Sequence, residues 1–257
     1  TDVVIPPHSY RRILIDLDEY YCMYPELLVS GGQDSVIRLH SAESLYMNPD
    51  ISLDEKGHRD EIEGKYFVGY GDTFRPDGDS QRCFDTLWWQ AGRYWELIIK
   101  TRQDALSIHN LSLRETRYPL EMESSLNTDD TRFELLSPMF IRSIQACSHE
   151  TYYDAPYYEE LMYAGDTRLE MLTSYVIAQD DRLPRKAIRL FDSSRLSSGM
   201  LQARYPSWET QVIAPFSLWW VGMLHDYAYW RDATYVQQFL PGMRATLEGF
   251  YHFLDDL

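Results

Sequence analysis

Glu150-Thr-Tyr-Tyr-Asp154-Ala-Pro-Tyr-Tyr-Glu159-Glu160-Leu-Met-Tyr163-Ala-Gly-Asp166-Thr-Arg168 is the most informative stretch of a 257-residue chain. Its apolar spacing predicts a helix from about Ala155 to residue 178, on which a rotation of about 100° per residue brings Glu159, Tyr163 and Asp166 within roughly 60° of one another. Leu161, Met162, Leu169, Leu172 and Val176 fall on a separate arc with Gly165, which would let a neighbouring helix approach closely. Two carboxylates on one face oppose each other's ionisation, and such opposition keeps a general acid protonated near neutral pH. A purely structural reading stands beside this one. Asp154 can cap the helix, Glu159 and Glu160 can answer its dipole, and Asp166 can pair with Arg168 or another cation. Acidic helix faces are usually solvated faces. Tyrosine company weighs against that reading, because a solvated face has little use for Tyr152, Tyr153, Tyr157, Tyr158 and Tyr163.

Upstream of residue 118 the apolar residues alternate, as in Ile13-Leu14-Ile15, Val36-Ile37-Arg38-Leu39-His40, Lys65-Tyr66-Phe67-Val68-Gly69 and Tyr94-Trp95-Glu96-Leu97-Ile98-Ile99-Lys100. Punctuated by Gly31-Gly32, Asn48-Pro49 and Arg75-Pro76-Asp77-Gly78, these runs predict antiparallel strands and a β-sandwich over 1–118. A polar linker is expected at 119–127 and an all-helical region at 128–257. Ser137-Pro138 reads as a helix start, and further helices are expected at about 183–193, 213–230 and 233–255, the last beginning at Asp232. Strands followed by helices without alternation argue for two domains, all-β then all-α.

The net charge is −16, from 40 acidic and 24 basic side chains. Residues 1–118 carry 20 acidic and 13 basic residues and the rest carry 20 and 11, so the acidity is not a tail. Nucleic-acid binding needs positive stripes and is excluded as an expectation. Neutral ligands that tolerate carboxylates and favour aromatic faces, such as sugars, fit better. Cys22, Cys83 and Cys147 have no metal-ligand or disulfide spacing, and His149-Glu150 lacks a second histidine at helical spacing, so no metal and no cofactor is expected. No run reaches 18 apolar residues, no membrane insertion is expected, and no export signal is visible.

At this point the residues carry a resemblance. Asp154-Ala-Pro-Tyr-Tyr-Glu159-Glu-Leu-Met-Tyr163-Ala-Gly-Asp166-Thr-Arg resembles the acidic motif of the α-L-rhamnosidases of glycoside hydrolase family 78. Gly199-Met-Leu-Gln-Ala-Arg204-Tyr205-Pro206-Ser207, Ile213-Ala-Pro-Phe216-Ser-Leu-Trp219-Trp220 and His225-Asp226-Tyr227 extend it. Leu87-Trp88-Trp89-Gln-Ala-Gly-Arg93-Tyr94 looks like the sandwich strand that precedes the barrel in these enzymes. The resemblance implies an antiparallel β-sandwich followed by the N-terminal helices of an (α/α)6 barrel. It implies an inverting glycosidase in which Glu159 is the general acid and Asp154 and Asp166 hold rhamnose hydroxyls. Tyr163 occupies a position where many members carry tryptophan, and Phe216, Trp219, Trp220 and Asp226 are candidates for the sugar pocket. These aromatics weigh more heavily as core, since a helix with Leu218, Val221 and Leu224 needs a packed side.

The implied partners are a rhamnosylated glycan or glycoside and the remainder of a parent chain, and the implied location is periplasmic or extracellular. Two rival readings remain, a carbohydrate-binding or structural fragment without activity and an (α/α)6 glycosidase for another sugar. An inverting mechanism needs a second carboxylate roughly 6.5–9.5 Å from the first. In the family that base is a glutamate far along the barrel, so it is expected beyond Leu257. A six-hairpin barrel has twelve helices and about five are legible here, so residues 1–257 alone are expected to show no rhamnosidase activity. Robust turnover of an aryl α-L-rhamnoside by these residues would overturn that expectation.

Overall fold

A computed structural model describes residues 2–251. The chain divides into two compact units, Thr1–Thr116 and Arg117–Leu257.

The first unit is antiparallel throughout. Strands β1 (Val3–Ile5), β2 (Tyr10–Gly31), β3 (Val36–Ala42), β4 (Tyr70–Phe74), β5 (Arg82–Asp85), β6 (Gln90–Lys100) and β7 (Leu106–Glu115) join through the long β2. Its first half pairs with β6, extending the β4-β3-β6 ladder, and its second half lies between β7 and β5. The register shifts between Asp16 and Tyr21, so one strand serves both layers. Leu27, Val29, Ile37, Leu39, Trp95, Leu97, Ile99 and Leu106 fill the space between the layers, as alternation along each strand dictates. The sandwich expectation is met, with one local exception. Lys65–Gly69 is no strand; Tyr66 forms a single bridge to Tyr46, and Gly69 lies so close to Ser41 that a Cβ there would sit 2.1 Å from its carbonyl.

The second unit is helical: α1 (Thr131–Ala146), α2 (Ala164–Ile177), α3 (Arg182–Ser193), α4 (Ala214–Tyr227), a short α5 (Ala233–Val236) and α6 (Leu240–Tyr251). Asp232 does begin the α5 turn, accepting the Thr234 N–H at 2.8 Å. Residues 252–255 of the expected last helix lie outside the described residues. Helix α1 starts earlier than Ser137-Pro138 predicts, because Asp130 caps it by accepting the Arg132 N–H. Pro138 therefore lies inside the helix, and Ser137 turns its hydroxyl back onto the Phe133 carbonyl. The core of this unit gathers Tyr152, Met171, Tyr175, Ile188, Phe191, Leu201, Trp220, Met223, Leu224 and Tyr227. No helix among the described residues is long and apolar enough to cross a membrane.

A buried charge punctuates the sandwich. Glu96 on β6 is almost fully buried and meets Arg12 of β2 at 2.5 Å and His40 of β3 at 2.8 Å, across both neighbouring strands. Burial holds His40 below the usual histidine range, so its bond to Glu96 is that of a neutral imidazole. Glu96→Ala leaves the His40 ring without this partner and opens a cavity. It is expected to cost about 2 kcal/mol in urea unfolding; an unchanged midpoint would show that the carboxylate contributes nothing.

Candidate active site

The predicted helix over 155–178 is only half present, and the difference builds the site. Helix α2 begins at Ala164, so Glu159 and Tyr163 lie on the approach to it and not on its face. Pro156 disfavours helical backbone at Ala155, and Glu160 sits at φ +51, a left-handed conformation that ends any local helix. Asp154 closes the loop. Its N–H donates to the Leu161 carbonyl, and its Oδ1 accepts the Leu161 N–H, each at 3.0 Å. Beyond Leu161 the chain becomes extended and pairs with 203–205: Tyr205 N–H donates to the Met162 carbonyl and Ala164 N–H to that of Ala203. Tyr163 bridges Arg204 in this short ladder and serves as backbone N-cap of α2.

This route brings Asp154, Glu159 and Tyr163 together. Glu159, exposed at the rim, raises the pKa of both neighbours. Asp154 is pushed up to about 6, first by burial and then by the Glu159 carboxylate, against the Leu161 N–H that favours its charge. Tyr163 is raised by burial, with the Arg204 hydrogen bond opposing and Glu159 adding. Arg204 donates to the Tyr163 hydroxyl at 2.9 Å and to Glu209 at 2.9 Å, and lies over the Tyr163 ring at 5.6 Å. Asp166, in the first turn of α2, lines a pocket of about 830 Å³ together with Asp154, Glu170 and Cys147. Its walls are apolar: Phe140, Ile141, Ile144, Leu169 and Val176. Burial and the three carboxylates push the Cys147 thiol up to about 12.

The α4 candidates divide. Phe216 lies against the start of α2, where a Cβ on Gly165 would come within 2.7 Å of its ring, so this glycine permits the approach. Trp220 is fully buried, with its indole N–H on the Ile188 carbonyl at 3.0 Å. It is core, which corrects its place among pocket candidates. Asp226 is likewise engaged elsewhere: Arg168 donates to it at 2.7 Å and 3.5 Å, and the same guanidinium stacks over Trp219 at 5.1 Å. Trp219 and Asp226 thus tie α2 to α4 through Arg168. Sequence reasoning missed Glu170, although it falls one turn after Asp166, and missed Arg204 as the partner of Tyr163.

Residues 121–256 match the family described as the bacterial α-L-rhamnosidase six-hairpin glycosidase domain. The chain belongs to this family. No curated protein matches it at the level of sequence. Among solved structures, a family 78 rhamnosidase of Bacillus sp. GL1 aligns over 98% of this chain and 26% of its own, with a TM-score of 0.78 and 18% identity. A rhamnosidase from Klebsiella oxytoca with rhamnose bound aligns over 98% and 50%, with a TM-score of 0.81 and 18% identity. The Streptomyces avermitilis α-L-rhamnosidase complexed with L-rhamnose gives 98% and 24%, with a TM-score of 0.67 and 16% identity. The likeness is one of fold, a β-sandwich leading into six-hairpin barrel helices, and the chain spans about a quarter to a half of these structures' length.

Asp226→Asn separates a structural from a binding role. It weakens the Arg168 bridge and is expected to lower the unfolding free energy by about 1–2 kcal/mol while sugar affinity stays unchanged. Unchanged stability with lost sugar binding would return Asp226 to the pocket.

Proposed function

We propose that the protein is an inverting glycoside hydrolase that releases terminal α-L-rhamnose from glycans or glycosides. The observation that carries this reading is the Asp154–Glu159 pair beside an apolar pocket, in which burial and then the Glu159 carboxylate raise Asp154 to about 6. Coupled carboxyls lose their protons in two steps that belong to the pair, so near neutral pH the pair retains part of one proton. Asp154 is held in place by Leu161, whereas Glu159 stands at the rim with a longer side chain. Glu159 is therefore the group that delivers the proton to the leaving glycosidic oxygen, as its position in the family motif implies. Asp154 and Asp166, acceptor-only when ionised, suit the hydroxyls of a sugar ring, and Tyr163, oriented by Arg204, presents its ring alongside.

Inversion requires a second carboxylate on the opposite face of the sugar, roughly 6.5–9.5 Å from the acid, to activate water. In this reading that base comes from a part of the barrel other than α1–α6. Rhamnosylated glycans lie outside the cell, which supports a periplasmic or extracellular location.

In the natural full-length protein Glu159→Gln is expected to lower turnover of alkyl rhamnosides by about 10³-fold while leaving rhamnose binding nearly intact. A binding-only protein would show no turnover to lose, and an unaffected rate would remove Glu159 from the acid role. The rate should fall as pH rises through the upper titration of the pair, because the acid must be protonated. Asp154→Asn removes the group that burial and Glu159 raise to about 6, so any part of the pH–rate profile that follows Asp154 should disappear; an unchanged profile would show that Asp154 does not bear on turnover.

A further inference from the structure

One ionisable group in the pocket has no use in this mechanism. Glu170 lies one helical turn after Asp166 on α2, at the spacing that sets side chains on the same face, and it lines the same pocket as Asp154 and Asp166. Its Oε2 is shut off from solvent and has no hydrogen-bond partner. A buried polar oxygen left unpaired is costly and rare, and a proton on the carboxyl lowers that cost, while the rest of the group faces the pocket that Glu170 lines.

Around Glu170 stand Asp166 on its own helix, Asp154 on the loop before it, Cys147 at the end of α1 and Tyr152 behind. The charges acting on it are the two aspartates, both of its own sign. Burial, then Asp166 and Asp154, raise its pKa well above the usual carboxylate range. The thiol of Cys147 and the phenol of Tyr152 are both pushed up by burial, so both stay neutral and neither offers a compensating charge. A protonated carboxyl is an O–H donor as well as an acceptor. Beside Asp154 and Asp166 it supplies a donor that a sugar hydroxyl's oxygen needs.

We infer that Glu170 is a further sugar-contacting residue, whose carboxyl group meets a ring hydroxyl beside Asp154 and Asp166. The inference rests on the glycosidase reading above and adds a third carboxyl to its sugar site. Its chemistry sets the behaviour of two variants. Glutamine keeps a donor and an acceptor in the same place and never ionises, whereas leucine fills the space and offers neither.

The test is calorimetric titration of the natural full-length protein with L-rhamnose at pH 6 and pH 9, using Glu170→Gln, Glu170→Leu and the unsubstituted protein. Glu170→Leu is expected to bind about tenfold more weakly at pH 6. The unsubstituted protein should lose affinity toward pH 9 more steeply than Glu170→Gln, a comparison in which the titration of Asp154 is common to both. Rhamnose binding by Glu170→Leu at full strength, or identical pH profiles for the protein and Glu170→Gln, would overturn the inference alone. Absence of rhamnose binding by the unsubstituted protein would overturn the glycosidase reading with it.

Thermal unfolding supplies a readout without ligand. A carboxyl whose folded pKa lies above its unfolded one is stabilising at low pH and loses that contribution as pH rises through the folded pKa. Glu170→Gln should therefore gain in melting temperature over the unsubstituted protein between pH 5 and pH 9. Parallel curves would show that Glu170 is not a buried neutral acid, a result that stands even if Glu170→Leu fails to fold.

Discussion

The reciprocal pair of bonds between Asp154 and Leu161 is the constraint on which the site depends. It closes the loop that carries Glu159, and it hands the chain on to the short ladder with 203–205 from which α2 starts. One carboxylate thus does two things. It accepts a backbone N–H, which favours its charge, and it sits half-buried beside Glu159, which disfavours it. The geometry of the loop and the protonation of Asp154 are consequently linked: the lock holds the aspartate where burial and then Glu159 both raise it, against the Leu161 N–H that favours its charge.

The charges around the pocket are distributed so that this opposition survives. Arg168 follows Asp166 by two residues, yet it is turned away to Asp226 and over Trp219, linking α2 to α4. Arg204 donates to the Tyr163 hydroxyl and to Glu209. A carboxylate cluster with free arginines beside it would be an ion-pair network; here Arg168 and Arg204 are held by Asp226, Tyr163 and Glu209 instead.

Much of the fold was legible because period and punctuation are local. The alternation in 13–15, 36–40 and 94–100 fixes strands whatever surrounds them, and Asp232 and Pro215 mark real helix starts. The acidic motif was legible as a set of residues but not as a geometry. Helical spacing placed Glu159, Tyr163 and Asp166 on one face, whereas Glu159 meets Asp154 and Tyr163 because a loop lock, a left-handed Glu160 and a partner strand forty residues away bring them together. Long-range pairing of that kind leaves no periodic trace. The same is true of Trp220 and Asp226, whose partners Ile188 and Arg168 lie on other helices. Glu170 was the exception, since its offset of four from Asp166 was visible, but a lone glutamate on a helix carries no mark of burial.

The acidity of the whole chain and the protonation of its pocket have different physical origins. Most of the 40 acidic side chains are solvated and screened over roughly 8 Å at physiological salt, so the net charge of −16 acts on approach and on solubility. At the pocket, burial and then the same sign of charge at closer range raise Asp154 and Glu170. An anionic ligand would meet both effects as repulsion. A neutral polyhydroxylated ring meets neither, and it supplies hydroxyl groups that carboxyl groups in either protonation state can engage.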